Sequence, residues 1–169
     1  MNQIKNAQFE TLNILYQLYE YLNKSLFGAE LPKDILINIQ YSYKEGKNRA
    51  FFLGRPNRFR IYNPGSSDGF CCEIAISYDT LQLPWADVSE SLLHEMCHYY
   101  QYSILNISPS HNNGFQEVCE KHGLKAEIGD KEGEWNRTSL TEETRALVLD
   151  FLKNEGIEAR PHIYRKISS

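Results

Sequence analysis

The sequence has few cysteines, and none has the paired spacing that builds a structural zinc site. The four are Cys71, Cys72, Cys97 and Cys119, with no Cys-x-x-Cys pair among them. Cys71 and Cys72 are neighbours, so on a strand they would face opposite ways. This pattern disfavours a four-cysteine zinc site and favours buried free thiols in a reducing compartment.

Long hydrophobic runs and an excess of basic charge are also missing. No stretch approaches the roughly 18 apolar residues that span a membrane, so no membrane partner is expected. The first five residues lack the charged-then-apolar pattern of a secretion signal. We therefore expect an intracellular, cytoplasmic protein. The net charge of −4 argues against a protein that is basic all over and coats nucleic acid.

What remains is typical of one folded domain of the α+β class. The chain has 169 residues, of which 41% are hydrophobic and 24% charged. Apolar periodicity and turn residues predict an N-terminal helix, a small and mostly antiparallel sheet, a long central helix and two further helices. The predicted helices are 4–27, 87–105, 113–122 and 141–154, and the predicted strands are 35–41, 49–53, 59–62 and 72–77. Asp87 is the expected cap of the central helix, and residues 129–138 read as a polar loop.

The central helix carries the most informative motif, His94-Glu95-Met96-Cys97-His98. Residues four apart lie on one face of a helix, so both imidazoles can reach one metal ion. Glu95 lies at the edge of that face, where its carboxylate can hold a water molecule as a general base rather than bind the metal. His-Glu-x-x-His on a helix is typical of zinc peptidases.

Catalytic zinc usually has three protein ligands, so one more must come from downstream. His111 is the preferred candidate, because a helix, a short reversal and a second helix would bring it back over the first. Three alternatives stay open on the sequence alone: Glu117, Glu120 and His122. A longer motif with glycine three and histidine six residues after His98 is excluded, since those positions hold Gln101 and Ile104.

Taken together, these segments resemble the SprT-like zinc metallopeptidases. The resemblance covers about residues 8–125 and rests on Leu26–Pro32, Glu73–Ser77, Leu92–Tyr100, and His111 with Phe115. It implies a zincin-like fold, one catalytic zinc ion and a protein or peptide substrate. It further implies His94, His98 and His111 as ligands with Glu95 as catalytic base. Asn112 and Asn113 depart from the family pattern, in which glycine commonly follows the third histidine.

The resemblance also predicts how the chain is divided. Residues 1–125 would form the SprT-like domain, and residues 126–169 a helical extension packed on the same domain. Many members of the family carry a C-terminal zinc ribbon of four cysteines. This chain has no cysteine after Cys119, so residues 126–169 are not that ribbon.

A basic segment between Lys44 and Arg60 raises the question of substrate. It holds six basic residues and one acid, a local charge of +5, with Phe51, Phe52 and Phe59 interleaved. Arginines beside aromatic rings can bind single-stranded DNA through phosphate contacts and base stacking, with Arg55, Arg58 and Arg60 as candidate contacts. The alternative is a solvated hairpin whose aromatic rings face the core. SprT-like relatives include enzymes that digest proteins crosslinked to DNA, which favours DNA-associated proteins as substrates.

The sequence therefore predicts a zinc metallopeptidase, with two rival hypotheses. The first is a small peptidase that uses Glu117 or Glu120 as the third ligand and has no link to DNA. The second is a non-catalytic, zinc-stabilised module that binds nucleic acid or protein through residues 44–60.

Overall fold

A computed structural model of the chain describes residues 2–40, 50–54, 61–62, 65, 69–129 and 135–163. Within them lie four α-helices, six strands and a short 3₁₀ turn, in the mixed arrangement predicted for an α+β fold. The helices are α1 (Gln3–Leu26), α2 (Trp85–Ser103), α3 (Asn113–Lys121) and α4 (Glu142–Asn154). The strands are β1 (Ile35–Gln40), β2 (Ala50–Leu53), β3 (Ile61–Tyr62), β4 (Phe70–Ser77), β5 (Leu124–Glu127) and β6 (Arg137–Leu140), and the 3₁₀ turn is Thr80–Gln82.

Helix α1 forms where its apolar spacing predicts it and packs one face into the core. The side chain of Asn2 caps its N-terminus by accepting a hydrogen bond from the backbone N–H of Ile4. Leu15, Leu18 and Leu22, spaced three and four apart, are fully buried. This helix lines one side of the core that the central helix completes.

The main sheet is built around β4, which pairs with three strands. β1 lies parallel to β4, with Ile37 opposite Ile74, whereas β2 and β3 pair with β4 antiparallel. Two of the three pairings are thus antiparallel, as expected. Phe52 shares the face of Ile74 and packs against Tyr99 of α2, with 5.3 Å between ring centroids. This contact fixes α2 across the sheet.

Helix α2 begins two residues earlier than predicted, and its expected cap is wrong. Pro84 occupies the N-cap, and Asp87 lies in the first turn without a side-chain capping bond. Helical hydrogen bonding starts at the Pro84 carbonyl, which accepts from the N–H of Val88 at 3.1 Å. The indole of Trp85 is 1% exposed, so burial of this ring extends the helix beyond the polar signal at Asp87.

The C-terminal part contains a hairpin that the sequence pattern does not predict. Residues 129–138 were expected to be a loop, but β6 begins at Arg137 and pairs antiparallel with β5. Its outward residues are polar and only Leu140 is buried, so the strand lacks an apolar alternation. Thr141, where the last helix was predicted to begin, occupies the N-cap of α4, and its side chain accepts from the N–H of Thr144. Phe151 of α4 stacks on Tyr21 of α1, with 4.6 Å between centroids.

Two further expectations concern the whole chain. The predicted boundary after residue 125 falls inside β5, and the division into a domain and an extension stays a prediction. No helix among the described residues has the length and apolar character that crossing a membrane requires.

Candidate metal centre

Three histidine rings meet at the C-terminal half of α2. His94 and His98 lie one turn apart on this helix, and His111 lies just before α3. The Nε2 atom of His111 is 3.1 Å from that of His94 and 3.0 Å from that of His98. Zinc with Zn–N bonds of about 2.0–2.1 Å in tetrahedral geometry would separate such nitrogens by about 3.3 Å. The three imidazoles therefore have the spacing that one zinc-sized ion requires.

Hydrogen bonds on the far side of the rings direct the Nε2 atoms toward this point. The Nδ1 of His94 lies 3.0 Å from the Oγ1 of Thr138 on β6. The Nδ1 of His98 lies 3.0 Å from the Oε1 of Gln101 on α2. Metal-binding histidines in proteins typically donate their other N–H to such a partner, which fixes the ring and its tautomer.

Phe115 forms the apolar support of the cluster. Its ring is fully buried and stacks on His98 at 4.3 Å between centroids and an interplanar angle of 17°. The rings of His94 and His111 lie 4.9 and 5.0 Å away. The side chain of Asn112 caps α3 by accepting from the N–H of Phe115, so the departure from glycine after His111 supplies a helix cap.

Trp135, two residues before β6, holds the main chain of His111. The backbone N–H of Trp135 donates to the carbonyl oxygen of His111 at 2.7 Å, and the Trp135 indole donates to the side chain of Asn113 at 2.9 Å. The residues that enter β6 thereby fix the start of α3.

Burial keeps the two α2 histidines neutral. It lowers the pKa of His94 well below its usual value, and His98 and His111 nearby lower it further. Burial also lowers the pKa of His98 to about 4, although its hydrogen bond to Gln101 acts in the opposite direction. Neutral imidazole is the form that binds a metal, so both rings are in the required state near neutral pH.

Glu95 lies beside the cluster but is not part of it. Its side chain is 6% exposed, and burial raises the pKa of its carboxyl to about 8, partly offset by a backbone hydrogen bond from Phe52. A divalent cation nearby would favour the carboxylate. Burial and a nearby cation would therefore act in opposite directions on the pKa of Glu95, and such perturbed carboxyls in clefts are common at functional sites.

The histidines and Glu95 line one cleft of about 850 Å³. One wall is β2, the floor is α2, and the opposite wall is β6 with the loop before α3. Lining side chains outside the cluster include Phe51, Glu90, Ser110, Glu127, Arg137 and Ser139. Clefts of roughly 300–1,000 Å³ accommodate a small ligand or part of a larger one.

The sequence model of the SprT-like family matches residues 15–133, a span that contains the three histidines and Glu95. The chain belongs to the SprT-like family. No curated protein and no solved structure matches it. Membership of the family, with three histidines placed to hold a metal ion, indicates a metallopeptidase-like domain.

The other candidates for the third ligand of this SprT-like domain lie elsewhere. Glu117 and Glu120 are exposed on α3, where Glu120 accepts a hydrogen bond from Gln116. His122 is buried and stacks on Phe27 at 4.2 Å, with its Nδ1 donating to the Val118 carbonyl. Within the described ranges, only His94, His98 and His111 form a group of three or more potential ligands.

Two residues that contact the histidines of the SprT-like site were not predicted from the sequence. Three other residues that were predicted to have a role lie outside the part that the structure describes. Gln101 stands three positions after His98, a helical spacing that could have identified it. Thr138 left no local signal, since it belongs to the unpredicted strand β6. The proposed nucleic-acid contacts Arg55, Arg58 and Arg60 lie outside the described residues.

Proposed function

We propose that this protein is a zinc-dependent metallopeptidase that hydrolyses peptide bonds in protein or peptide substrates. The observation that carries the proposal is the placement of three convergent imidazoles and a buried carboxyl, Glu95, in one open cleft. Three nitrogen ligands favour zinc over magnesium or calcium, which prefer oxygen. When bound, zinc would act as a Lewis acid that polarises a carbonyl and lowers the pKa of a water molecule.

The position of Glu95 beside the three histidines and in the same cleft supports a catalytic role. We assign it as the general base that takes a proton from the attacking water and later donates it to the leaving amine. The N–H of Phe52 donates to its carboxylate and orients it. Because β2 lines the same cleft, the strand that orients the base also borders the space for the substrate.

Glu95→Gln tests this assignment, with Glu90→Gln as its matched control. Glu90 lines the same cleft on the same helix, so each variant removes one carboxyl group from the lining of that cleft. Loss of a general base lowers the rate roughly 10²–10⁴-fold, so Glu95→Gln should lose cleavage of an unfolded protein substrate while it keeps one zinc per chain. Glu90→Gln should retain most of the activity. Undiminished cleavage by Glu95→Gln would exclude the assignment.

His111→Ala tests the third ligand, with His162→Ala as the control. His162 lies on the surface and hydrogen-bonds to Glu158 and Glu10, away from the cluster. The His111 variant should weaken zinc binding by more than the roughly 10–100-fold expected for loss of an outer hydrogen-bond partner. Zinc binding as tight as that of the His162 variant would move the assignment to another residue.

The non-catalytic alternative predicts a different outcome for the same proteins. A structural zinc site is usually closed by a fourth protein ligand, whereas the cluster as described comprises three. If zinc-loaded wild type and Glu95→Gln are equally inactive on all protein substrates, the zinc is structural and the peptidase proposal fails.

A role for DNA rests on the sequence of residues 44–60 alone. We propose it as a means of directing the peptidase to DNA-associated proteins, supported by the local charge of that segment and the interleaved aromatic residues. Phe52 faces the core, as the alternative hypothesis expects for the aromatic rings. Charge reversal of Arg55, Arg58 and Arg60 should lower affinity for single-stranded DNA and reduce its salt dependence. Wild type without salt-sensitive affinity would end this hypothesis.

A further inference from the structure

We infer that Gln101 is a positioning residue that holds two of the three proposed zinc ligands, His98 directly and His111 through Ser110. The inference rests on the proposed function in that it assigns those histidines to a metal. Gln101 lies on α2 one turn after His98 and is fully buried. Its side-chain amide spans the space between this helix and the loop that carries His111.

The backbone of Ser110 determines which way the amide of Gln101 faces. The Ser110 N–H lies 3.3 Å from Oε1 of Gln101, and the Ser110 carbonyl oxygen lies 3.3 Å from its Nε2. A backbone N–H can only donate and a carbonyl oxygen can only accept. The amide oxygen must therefore face the Ser110 N–H, and no flipped orientation satisfies both contacts.

This orientation fixes the tautomer of His98. The Nδ1 of His98 lies 3.0 Å from the same Oε1 atom, which is an acceptor with two lone pairs. The imidazole must then carry its proton on Nδ1, which leaves the lone pair of Nε2 directed at the His111 ring 3.0 Å away. The tautomer that a metal needs at Nε2 thus follows from the main chain of Ser110.

The same residue holds the loop between α2 and α3. The backbone carbonyl of Gln101 accepts from the N–H of Ile107 at 3.0 Å, while its side chain holds Ser110, the residue before His111. The main chain and side chain of Gln101 together fix both ends of the four-residue stretch from Ile107 to Ser110. Gln101 therefore sets the position of His111 relative to the helix that carries the other two ligands.

Gln101→Met tests the inference, with Gln101→Glu as a partial rescue and Ser89→Ala as the control. Methionine has a similar shape but removes every side-chain hydrogen bond. Glutamate keeps the acceptor for His98 and for the Ser110 N–H. Ser89 is equally buried on α2 and donates to the Trp85 carbonyl at 2.7 Å, so its loss perturbs the same helix five residues before the first histidine.

The first readout is zinc affinity, measured by competition with a chelator. Loss of an outer hydrogen-bond partner weakens metal binding about 10–100-fold, so we expect Gln101→Met to bind zinc that much more weakly. Gln101→Glu should bind more tightly than Gln101→Met, and Ser89→Ala should match wild type. Affinity of Gln101→Met within about threefold of wild type would overturn the inference, as would equal loss in the two Gln101 variants.

The second readout is the His98 ring proton in metal-free, full-length wild type, observed by NMR, because bound zinc would itself place the proton on Nδ1. A proton on Nδ1 that exchanges slowly with water is expected, because His98 and Gln101 are both buried. A His98 ring protonated on Nε2 would overturn the inference even if the methionine variant does not fold. If wild type binds no zinc at all, the proposed function fails, while this tautomer can still be read in the metal-free protein.

Discussion

Thr138 and His94 lie 44 positions apart, and their side chains meet with 3.0 Å between Oγ1 and Nδ1. The contact joins β6 to the central helix directly behind the candidate metal centre. It makes the C-terminal hairpin part of the site, since β6 also lines the cleft. A strand absent from the sequence-based prediction therefore supplies the partner that orients the first histidine of the motif.

Thr138→Val should weaken zinc binding without unfolding the hairpin. Valine has nearly the same shape as threonine but cannot accept the Nδ1–H of His94, so we expect the dissociation constant for zinc to rise about tenfold or more. Ser139→Ala is the matched control, because Ser139 is the exposed neighbour on the same strand and lines the same cleft. Equal zinc affinities in the two variants, measured by chelator competition, would contradict this role for Thr138.

Phe115→Leu should lower both stability and zinc affinity, since the ring supports all three histidines. A large-to-smaller change in the core costs roughly 0.5–3 kcal/mol of unfolding free energy. Phe151→Leu provides the comparison, because Phe151 is also buried but stacks on Tyr21 of α1 rather than on a histidine of the metal cluster. Urea unfolding should show a loss in both variants, whereas only Phe115→Leu should bind zinc more weakly. A similar loss of zinc affinity in Phe151→Leu would show that the effect is general destabilisation.

The features that the sequence predicted well are those encoded by neighbouring residues. The apolar spacing of Leu15, Leu18 and Leu22 specifies the buried face of α1, and Thr141 specifies the start of α4. The combination of His94-Glu95-Met96-Cys97-His98 with His111 and Phe115 indicated the SprT-like family, which the family match confirms. Each signal lies within a few turns of one helix or in one short motif.

The features that could not be predicted from the sequence depend on contacts between residues that are distant in the chain. The parallel pairing of β1 with β4 could not be predicted from either strand, because the apolar pattern of a strand does not specify the direction of its neighbour. β6 carries a polar outer face and four residues, too short and too polar for an alternating pattern. Asp87 resembled a cap, but burial of Trp85 outweighed that local preference and started α2 earlier.

Gly123→Ala should destabilise the protein more than Gly156→Ala. Both glycines follow a helix with positive φ, +88° and +65°, and an alanine there costs roughly 1–2 kcal/mol in backbone strain. A Cβ at Gly123 would also collide with the hydroxyl of Thr144, whereas one at Gly156 would meet nothing within 4 Å. Urea unfolding should therefore show the larger loss for Gly123→Ala. Equal losses would mean that Thr144 moves aside freely.

The stability of the protein should fall as the pH drops below about 6.5, in part because of His122. Burial against Phe27 and Tyr100 lowers the pKa of His122; Lys121 lowers it further, while the hydrogen bond to Val118 and the charge of Glu30 raise it. In the unfolded chain the same imidazole titrates near 6.5. Below that pH the unfolded state binds more protons than the folded state, so acid favours unfolding until the folded-state pKa is passed.

His122→Gln isolates this contribution. Glutamine does not titrate, and its amide can still donate to the Val118 carbonyl. We expect the variant to lose less unfolding free energy than wild type between pH 7 and pH 5, when both are measured by urea unfolding at the same zinc concentration. The proposed ligands His94 and His98 are present in both proteins, so the difference between the two slopes is assigned to His122. Parallel slopes would show that His122 takes up its proton over the same pH range in the folded and unfolded states, and that the acid sensitivity arises from other groups.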